Sequence, residues 1–100
     1  NLRAGASGLI PAIDTVDKTS EIFAEFTSGN EELADKLYAE LLPVLCFIMQ
    51  GIPHFLTYGK QLAAERLGIK LGGSREPSLT ATNFGLACIR RFSEHLGPIK

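Results

Sequence analysis

The segment RAGASGLIP at residues 3–11 constrains the fold more than any other part of the chain. Its glycines allow backbone conformations that are closed to other residues, and the small side chains between them let another backbone approach closely. Leu9 and Ile10 are adjacent and apolar, which is typical of a buried strand in a parallel sheet. Pro11 lacks the amide hydrogen that would extend a ladder, so it marks the strand's end. The segment therefore predicts a short strand, yet no later segment predicts a partner for it.

The remaining chain predicts four helices, because apolar residues recur at helical spacing between glycine and proline breaks. They begin near residues 14–17, 30, 53 and 80–82 and end near residues 28–29, 49, 67 and 96. We expect Asn30 to cap the second helix, and Thr80 or Thr82 to cap the last. Pro43 lies inside the second helix and predicts a kink there, since it removes one hydrogen bond. The fold class expected of these residues is mainly α, with one strand followed by four helices.

The helical spacing also predicts which apolar side chains meet in a core. We expect one cluster formed by Leu37, Leu41, Leu45, Phe55, Leu62, Phe84, Ile89 and Phe92. Around the unpartnered strand we expect the opposite, namely exposed apolar surface at Leu9, Ile10 and Ile13.

Charge and hydropathy exclude several classes of partner. The formal net charge is −1, which gives no electrostatic reason to bind nucleic acid or an anionic membrane. Lys60, Arg66 and Lys70 are spaced like the solvated face of a helix. The longest apolar stretch, residues 41–49, is too short to span a bilayer. We therefore expect neither nucleic acid nor membrane as a partner.

The nucleophilic and metal-ligating residues form no recognisable motif. Cys46 and Cys88 are far apart and lie in apolar patterns, so we expect two buried, reduced thiols, as suits a cytoplasmic protein. His54 and His95 lie on different predicted helices and are expected at the surface or partly packed. Lys60 lies in an exposed-looking turn, whereas a Schiff-base lysine needs desolvation. Residue chemistry alone thus predicts no catalytic residue, no metal and no cofactor.

The order of motifs resembles the dihydrodipicolinate synthase / N-acetylneuraminate lyase family. Residues 4–12, AGASGLIPA, look like the eighth-strand signature of that family. The matching downstream features are Gly29 before an acidic helix start, Leu-Leu-Pro at 41–43, Leu-Gly-Ile at 67–69, Arg75-x-Pro77 and Leu96-Gly97. Because residue 1 is Asn, we expect these residues to be cut from a longer chain.

The resemblance implies that residues 1–29 are the last strand and helix of a (β/α)₈ TIM barrel. Residues 30–100 would then be the family's C-terminal helical extension. It further implies a class I lyase or aldolase that forms a Schiff base with pyruvate or another 2-oxo acid, and a homo-oligomer at full length. The family's catalytic lysine and tyrosine lie on the sixth and fifth strands, outside these residues, so the piece alone is expected to be inactive.

The resemblance also implies a modest substrate-binding role for this chain. Ile10 matches the eighth-strand residue that lines the keto-acid pocket, with Gly8 and Pro11 beside it. Thr15 and Lys18 depart from the family, which often has Asn and Pro there. These departures argue mildly against the lysine-biosynthesis enzyme itself, and paralogues acting on sugar-derived keto acids fit at least as well.

A second hypothesis is a self-standing helical module that binds another protein and has no catalytic activity. The upstream reading frame distinguishes the two hypotheses. An enzyme requires about 200 further residues before residue 1, a length set by the usual barrel size. A start codon directly before Asn1 would instead favour the module.

Overall fold

Four helices and no strand make up the computed structural model, which describes residues 1–100. They are α1 (Val16–Thr27), α2 (Glu31–Ile48), α3 (Ile52–Leu67) and α4 (Asn83–Leu96), and a 3₁₀ turn at Ile13–Thr15 precedes α1. The middle of α3, Phe55–Gly59, is π-helical. The mainly α class and the four helices are confirmed.

The helix ends follow from glycine and threonine chemistry. Gly29 and Gly68 adopt φ values of 92° and 68° after α1 and α3, conformations that favour glycine. Thr82 caps α4, and its hydroxyl accepts the Gly85 amide hydrogen at 3.0 Å. The predicted Asn30 cap is wrong: its side-chain amide instead donates to Glu25 at 3.1 Å.

One core joins all four helices. Its buried members are Ile22, Ala34, Leu41, Val44, Ile48, Tyr58, Leu62, Ile89 and Leu96. Partly buried side chains that pack against it include Leu37, Leu45, Phe55 and Phe92. The predicted cluster is therefore confirmed except for Phe84, which is 76% exposed. Phe84 is turned about 100° from Gly85 along the helix, and Gly85 is the residue that faces the core.

The third and fourth helices run in broadly the same direction. Between the middle of α3 and the start of α4, the Thr82 amide donates to the Tyr58 hydroxyl at 3.0 Å. Near their ends, the Arg66 side chain donates to the Gly97 carbonyl at 2.7 Å. The preceding pair is sharply bent, with 104° between α2 and α3. By length and apolar character no single helix here could cross a membrane, although that bent pair taken together could.

Residues 1–12 lie on the helices without regular structure, so the predicted strand at Leu9–Ile10 is wrong for this chain. A strand requires ladder partners, and no backbone hydrogen bond involves residues 7–11. Ile10 is fully exposed and Ile13 is 60% exposed, as expected, while Leu9 is half-buried.

Candidate functional site

The candidate segment, residues 8–11, borders a shallow depression against α1. The depression has a volume of about 220 Å³. It is lined by Gly8, Leu9, Pro11, Thr19, Ser20 and Phe23. The structure thus brings two of the three predicted substrate-binding residues, Gly8 and Pro11, to one place. It does not bring Ile10 there, because that side chain lies in solvent.

The lining of this depression is partly polar and partly apolar, and it is uncharged. Thr19 and Ser20 contribute hydroxyl groups, which both donate and accept hydrogen bonds, and Phe23 contributes an apolar wall. None of its lining residues has an ionisable side chain. The arrangement can hold a small polar group but offers no general acid or base at neutral pH.

On its N-terminal side the segment is tied to α2 by an exposed ion pair. Arg3 donates to Asp35 at 2.7 Å and to Glu31 at 3.1 Å. These hydrogen bonds, chiefly the one to Asp35, raise the pKa of Arg3 above its ordinary value. All three side chains are more than half exposed, and exposed pairs of this kind contribute little to stability.

On its C-terminal side the segment is tied by Arg66, a fully buried residue of α3. Its Nε donates to the Gly97 carbonyl at 2.7 Å, and its Nη1 donates to the Asp14 carbonyl. Nη1 and Nη2 also donate to the two carboxylate oxygens of Asp17, at 2.9 and 2.6 Å. We name this arrangement, Arg66 with Asp14, Asp17 and Gly97, the Arg66 clamp. The two-point contact to Asp17 is the strongest geometry available to an arginine–carboxylate pair.

The expectation that Arg66 lies on a solvated helix face is wrong, since only 2% of the residue is exposed. The reason is its helical phase. Arg66 follows Leu62 and Tyr58 at intervals of four residues, which places all three on the inner face of α3. The position of a charged residue four and eight residues after two core residues is the sequence signal that could have predicted the burial of Arg66. Asp17, its partner 49 positions away, carried no such signal.

The two carboxyl groups near Arg66 respond to burial differently. Burial raises the pKa of Asp14, and its Oδ1 is buried without a hydrogen-bond partner. Burial also opposes ionisation of Asp17, but hydrogen bonds, chiefly from Arg66, outweigh it and lower its pKa. Of these two carboxyl groups, Asp17 is therefore the one whose ionised form the folded structure favours.

A second polar and aromatic group consists of His54 and Tyr58 in the first half of α3 and Phe47 of α2. The His54 ring lies 4.6 Å from the Tyr58 ring and 5.1 Å from the Phe47 ring, measured between centroids. Its Nε2 is buried without a hydrogen-bond partner. The partly packed position expected for His54 is confirmed, and His95 lies at the surface.

The remaining candidate residues do not converge on a site. Cys88 is buried as expected, but Cys46 is exposed, because the buried face of α2 runs through Val44 and Ile48. No group of three or more His, Cys, Asp or Glu side chains is placed to hold a metal ion. Lys60 is only partly buried, at the end of the π-helical segment.

Comparison with protein families, curated proteins and solved structures adds no relative: no family model, no curated protein and no solved structure matches the chain. The resemblance to the lyase family thus rests on the ordered motifs themselves.

Proposed function

We propose that this chain forms the last part of a barrel enzyme that resembles the dihydrodipicolinate synthase / N-acetylneuraminate lyase family. The enzyme would be a class I lyase or aldolase that forms a Schiff base with pyruvate or another 2-oxo acid. Residues 1–29 would complete the barrel, and residues 30–100 would be its helical extension. The observation that carries the proposal is the exposed, unpaired state of the segment around Ile10.

That segment has the properties of a strand separated from its sheet. Its backbone groups between residues 7 and 11 make no hydrogen bonds within the chain, and Ile10 is exposed beside a well-packed helical body. Apolar side chains next to unpaired backbone are the features that an interior strand of a closed barrel would bury. The ordered motifs from Gly8 to Gly97 support the same placement.

Within the proposed enzyme this chain binds and positions the 2-oxo acid, while the Schiff-base lysine comes from outside it. Formation of a Schiff base requires a neutral amine, which a protein obtains by desolvating a lysine. None of the five lysines here is buried. Ile10 would contact the methyl or methylene group of the acid, and Gly8 and Pro11 would shape the rim of the pocket.

The test is reductive trapping of the Schiff base. The protein is expressed from its full reading frame and treated with borohydride in the presence of pyruvate and of longer 2-oxo acids. We expect one acid to be fixed as a secondary amine on a lysine outside residues 1–100, located by peptide mass mapping. Trapping on Lys60, or no trapping with any 2-oxo acid, would contradict the proposal.

A variant pair tests the role of Ile10 in the same protein. Ile10→Trp places bulk in the proposed pocket and should raise the KM for the 2-oxo acid while the fold persists. Ile52→Trp is the matched control, since Ile52 is 70% exposed on α3 and does not line the depression. Equal KM values for the two variants would remove Ile10 from the pocket.

The second candidate, a helical protein-binding module, is favoured by a different surface. Residues 41–59 and 77–89 carry no Asp, Glu, Lys or Arg, and they meet where Thr57 and Tyr58 contact Leu79 and Thr82. Exposed large apolar side chains in these stretches are Leu42, Met49, Ile52, Leu79 and Phe84. A folded full-length protein that traps no 2-oxo acid and whose reading frame starts at residue 1 would favour this candidate.

A further inference from the structure

We infer that Arg66 is a positioning residue for the candidate segment, residues 8–11. Through Asp14 and Asp17 it fixes the start of α1, and thereby the direction in which the segment leaves the helical body. The consequence for binding of a 2-oxo acid rests on the proposed function. The inference that Arg66 positions residues 8–11 does not rest on that function, because it concerns only contacts within this chain.

The two flanks of the segment are held unequally. The side chain of Arg3 is 59% exposed, so its contacts to Glu31 and Asp35 are open to water and salt. The side chain of Arg66 is 0% exposed and that of Asp17 is 30% exposed, so water and salt screen their contact less. The segment itself makes no backbone hydrogen bonds between residues 7 and 11. Its position relative to the helices therefore depends mainly on the Arg66 side.

A guanidinium group fixes the relative orientation of the groups that it binds, which an apolar side chain would not do. Burying an ion pair costs desolvation, and well-packed apolar residues of similar volume are often equally stabilising. Arg66, in contrast, makes four hydrogen bonds from one planar group to the Asp14 carbonyl, the Asp17 carboxylate and the Gly97 carbonyl. A fixed fork of donors defines the angle as well as the distance between the segments that it joins.

The path from Arg66 to the segment is short and structured. Asp14 lies three residues after Pro11, inside the 3₁₀ turn Ile13–Thr15. The Thr15 amide donates to the Ala12 carbonyl at 3.3 Å, which closes that turn. On the other side, the Ile99 amide donates to the Arg66 carbonyl at 3.0 Å. A displacement of the Arg66 side chain is thus transmitted to Pro11 through one tight turn.

The experiment compares Arg66→Lys with Arg3→Lys in the protein expressed from its full reading frame. Both variants keep the positive charge and lose the planar fork, one on the buried flank and one on the exposed flank. Two quantities are measured: steady-state kcat and KM for the trapped 2-oxo acid, and hydrogen–deuterium exchange of backbone amides by mass spectrometry. Residues 37–45 of α2 are the internal exchange reference.

We expect Arg66→Lys to raise KM on the order of 10- to 100-fold with a smaller change in kcat, because a misplaced binding segment weakens the fit to the acid. Exchange should accelerate at the hydrogen-bonded amides of Thr15 and Ile99, while the α2 reference stays unchanged. Arg3→Lys should change KM by about twofold at most, since exposed ion pairs contribute little free energy. If Arg66→Lys fails to fold, Asp17→Asn takes its place, because Arg66 then keeps its bonds to the Asp14 and Gly97 carbonyls.

A merely structural role gives a different pattern and overturns the inference. In that case the variant would lower Tm, but exchange would rise no more at Thr15 and Ile99 than in α2, and KM would match that of Arg3→Lys. Failure of the proposed function is separable from this result. A protein that traps no 2-oxo acid removes the kinetic measurement only, and the exchange pattern still decides whether Arg66 positions the segment.

Discussion

Two regions of α3 are joined to the rest of the molecule by different chemistry. In the π-helical middle, uncharged groups meet: the Leu79 amide donates to the Thr57 hydroxyl at 2.8 Å, and the Thr82 amide donates to the Tyr58 hydroxyl at 3.0 Å. At the end, the Arg66 clamp joins a buried cation to a carboxylate and two backbone carbonyls. We name the first region, Thr57 and Tyr58 with Leu79 and Thr82, the hydroxyl end, since it is the N-terminal one of the two. The second region is the clamp end.

The difference shows that each end depends on a different property of its residues. The hydroxyl end depends on volume, because the Tyr58 ring lies directly over Gly85 and a Cβ at that position would overlap the ring. The clamp end depends on charge, because Arg66 is fully buried and forms an ion pair with Asp17. Substitutions that alter volume should therefore act at one end, and changes of charge or pH at the other.

The largest expected effect is at the clamp end. Arg66→Ala leaves a carboxylate and two backbone carbonyls without their donor and should reduce the free energy of unfolding by about 3–5 kcal/mol. Urea denaturation followed by circular dichroism measures it. The matched control is Arg90→Ala, an exposed arginine of α4 without an ion pair, which should stay within about 0.5 kcal/mol of the parent. Similar losses in both variants would show that the clamp contributes nothing specific.

A smaller effect is expected at the hydroxyl end. Gly85→Ala forces the Tyr58 ring to move and should cost about 1–3 kcal/mol, the usual range for overpacking. Gly72→Ala is the control, since a Cβ there meets no atom within 4 Å. Adding Tyr58→Phe removes the nearest clashing atom and should recover part of the loss. An unchanged Gly85→Ala variant would mean that volume is not limiting at this end.

The hydroxyl end was partly predictable from the sequence, and the clamp end was not. Threonine before the last apolar helical run predicts a cap, and Thr82 provides it. Helical spacing likewise predicted most of the core. The interaction between Arg66 and Asp17 depends on how two helices far apart in sequence are placed, and local pattern carries no such information.

The segment at residues 8–11 failed as a strand for a related reason. Leu9 and Ile10 have the composition of a buried strand, but strand formation is decided by partners, and none exists within this chain. The exposure of Ile10 was predicted correctly, because the expected strand had no partner in this chain. The depression between the segment and Thr19 and Ser20 was not foreseen, since it depends on where the loop lies against α1.

The smallest effect concerns Asp14. It distinguishes the two ends because only the clamp end should contribute to stability in a pH-dependent way. Its folded pKa lies above the ordinary value of 3.8 because of burial, so folding favours its protonated form. That contribution is present below pH 3.8 and is lost as pH rises through the folded pKa, which leaves a buried charge that costs stability at neutral pH. Asp14→Asn removes the charge, so urea denaturation should show a stabler protein at neutral pH, by about 1 kcal/mol, and no gain in acid.

Asp17→Asn should show the opposite sign. The folded pKa of Asp17 is lowered, so its contribution is present above the ordinary value of 3.8 and is lost as pH falls through the folded pKa. Its substitution should destabilise at neutral pH and matter less in acid. Tyr58→Phe, at the hydroxyl end, should cost about 0.5–1.5 kcal/mol at both pH values, because no charge is involved. A gain from Asp14→Asn that persisted in acid would mean that the buried carboxyl affects packing and not charge, and the contrast between the two ends would then not be electrostatic.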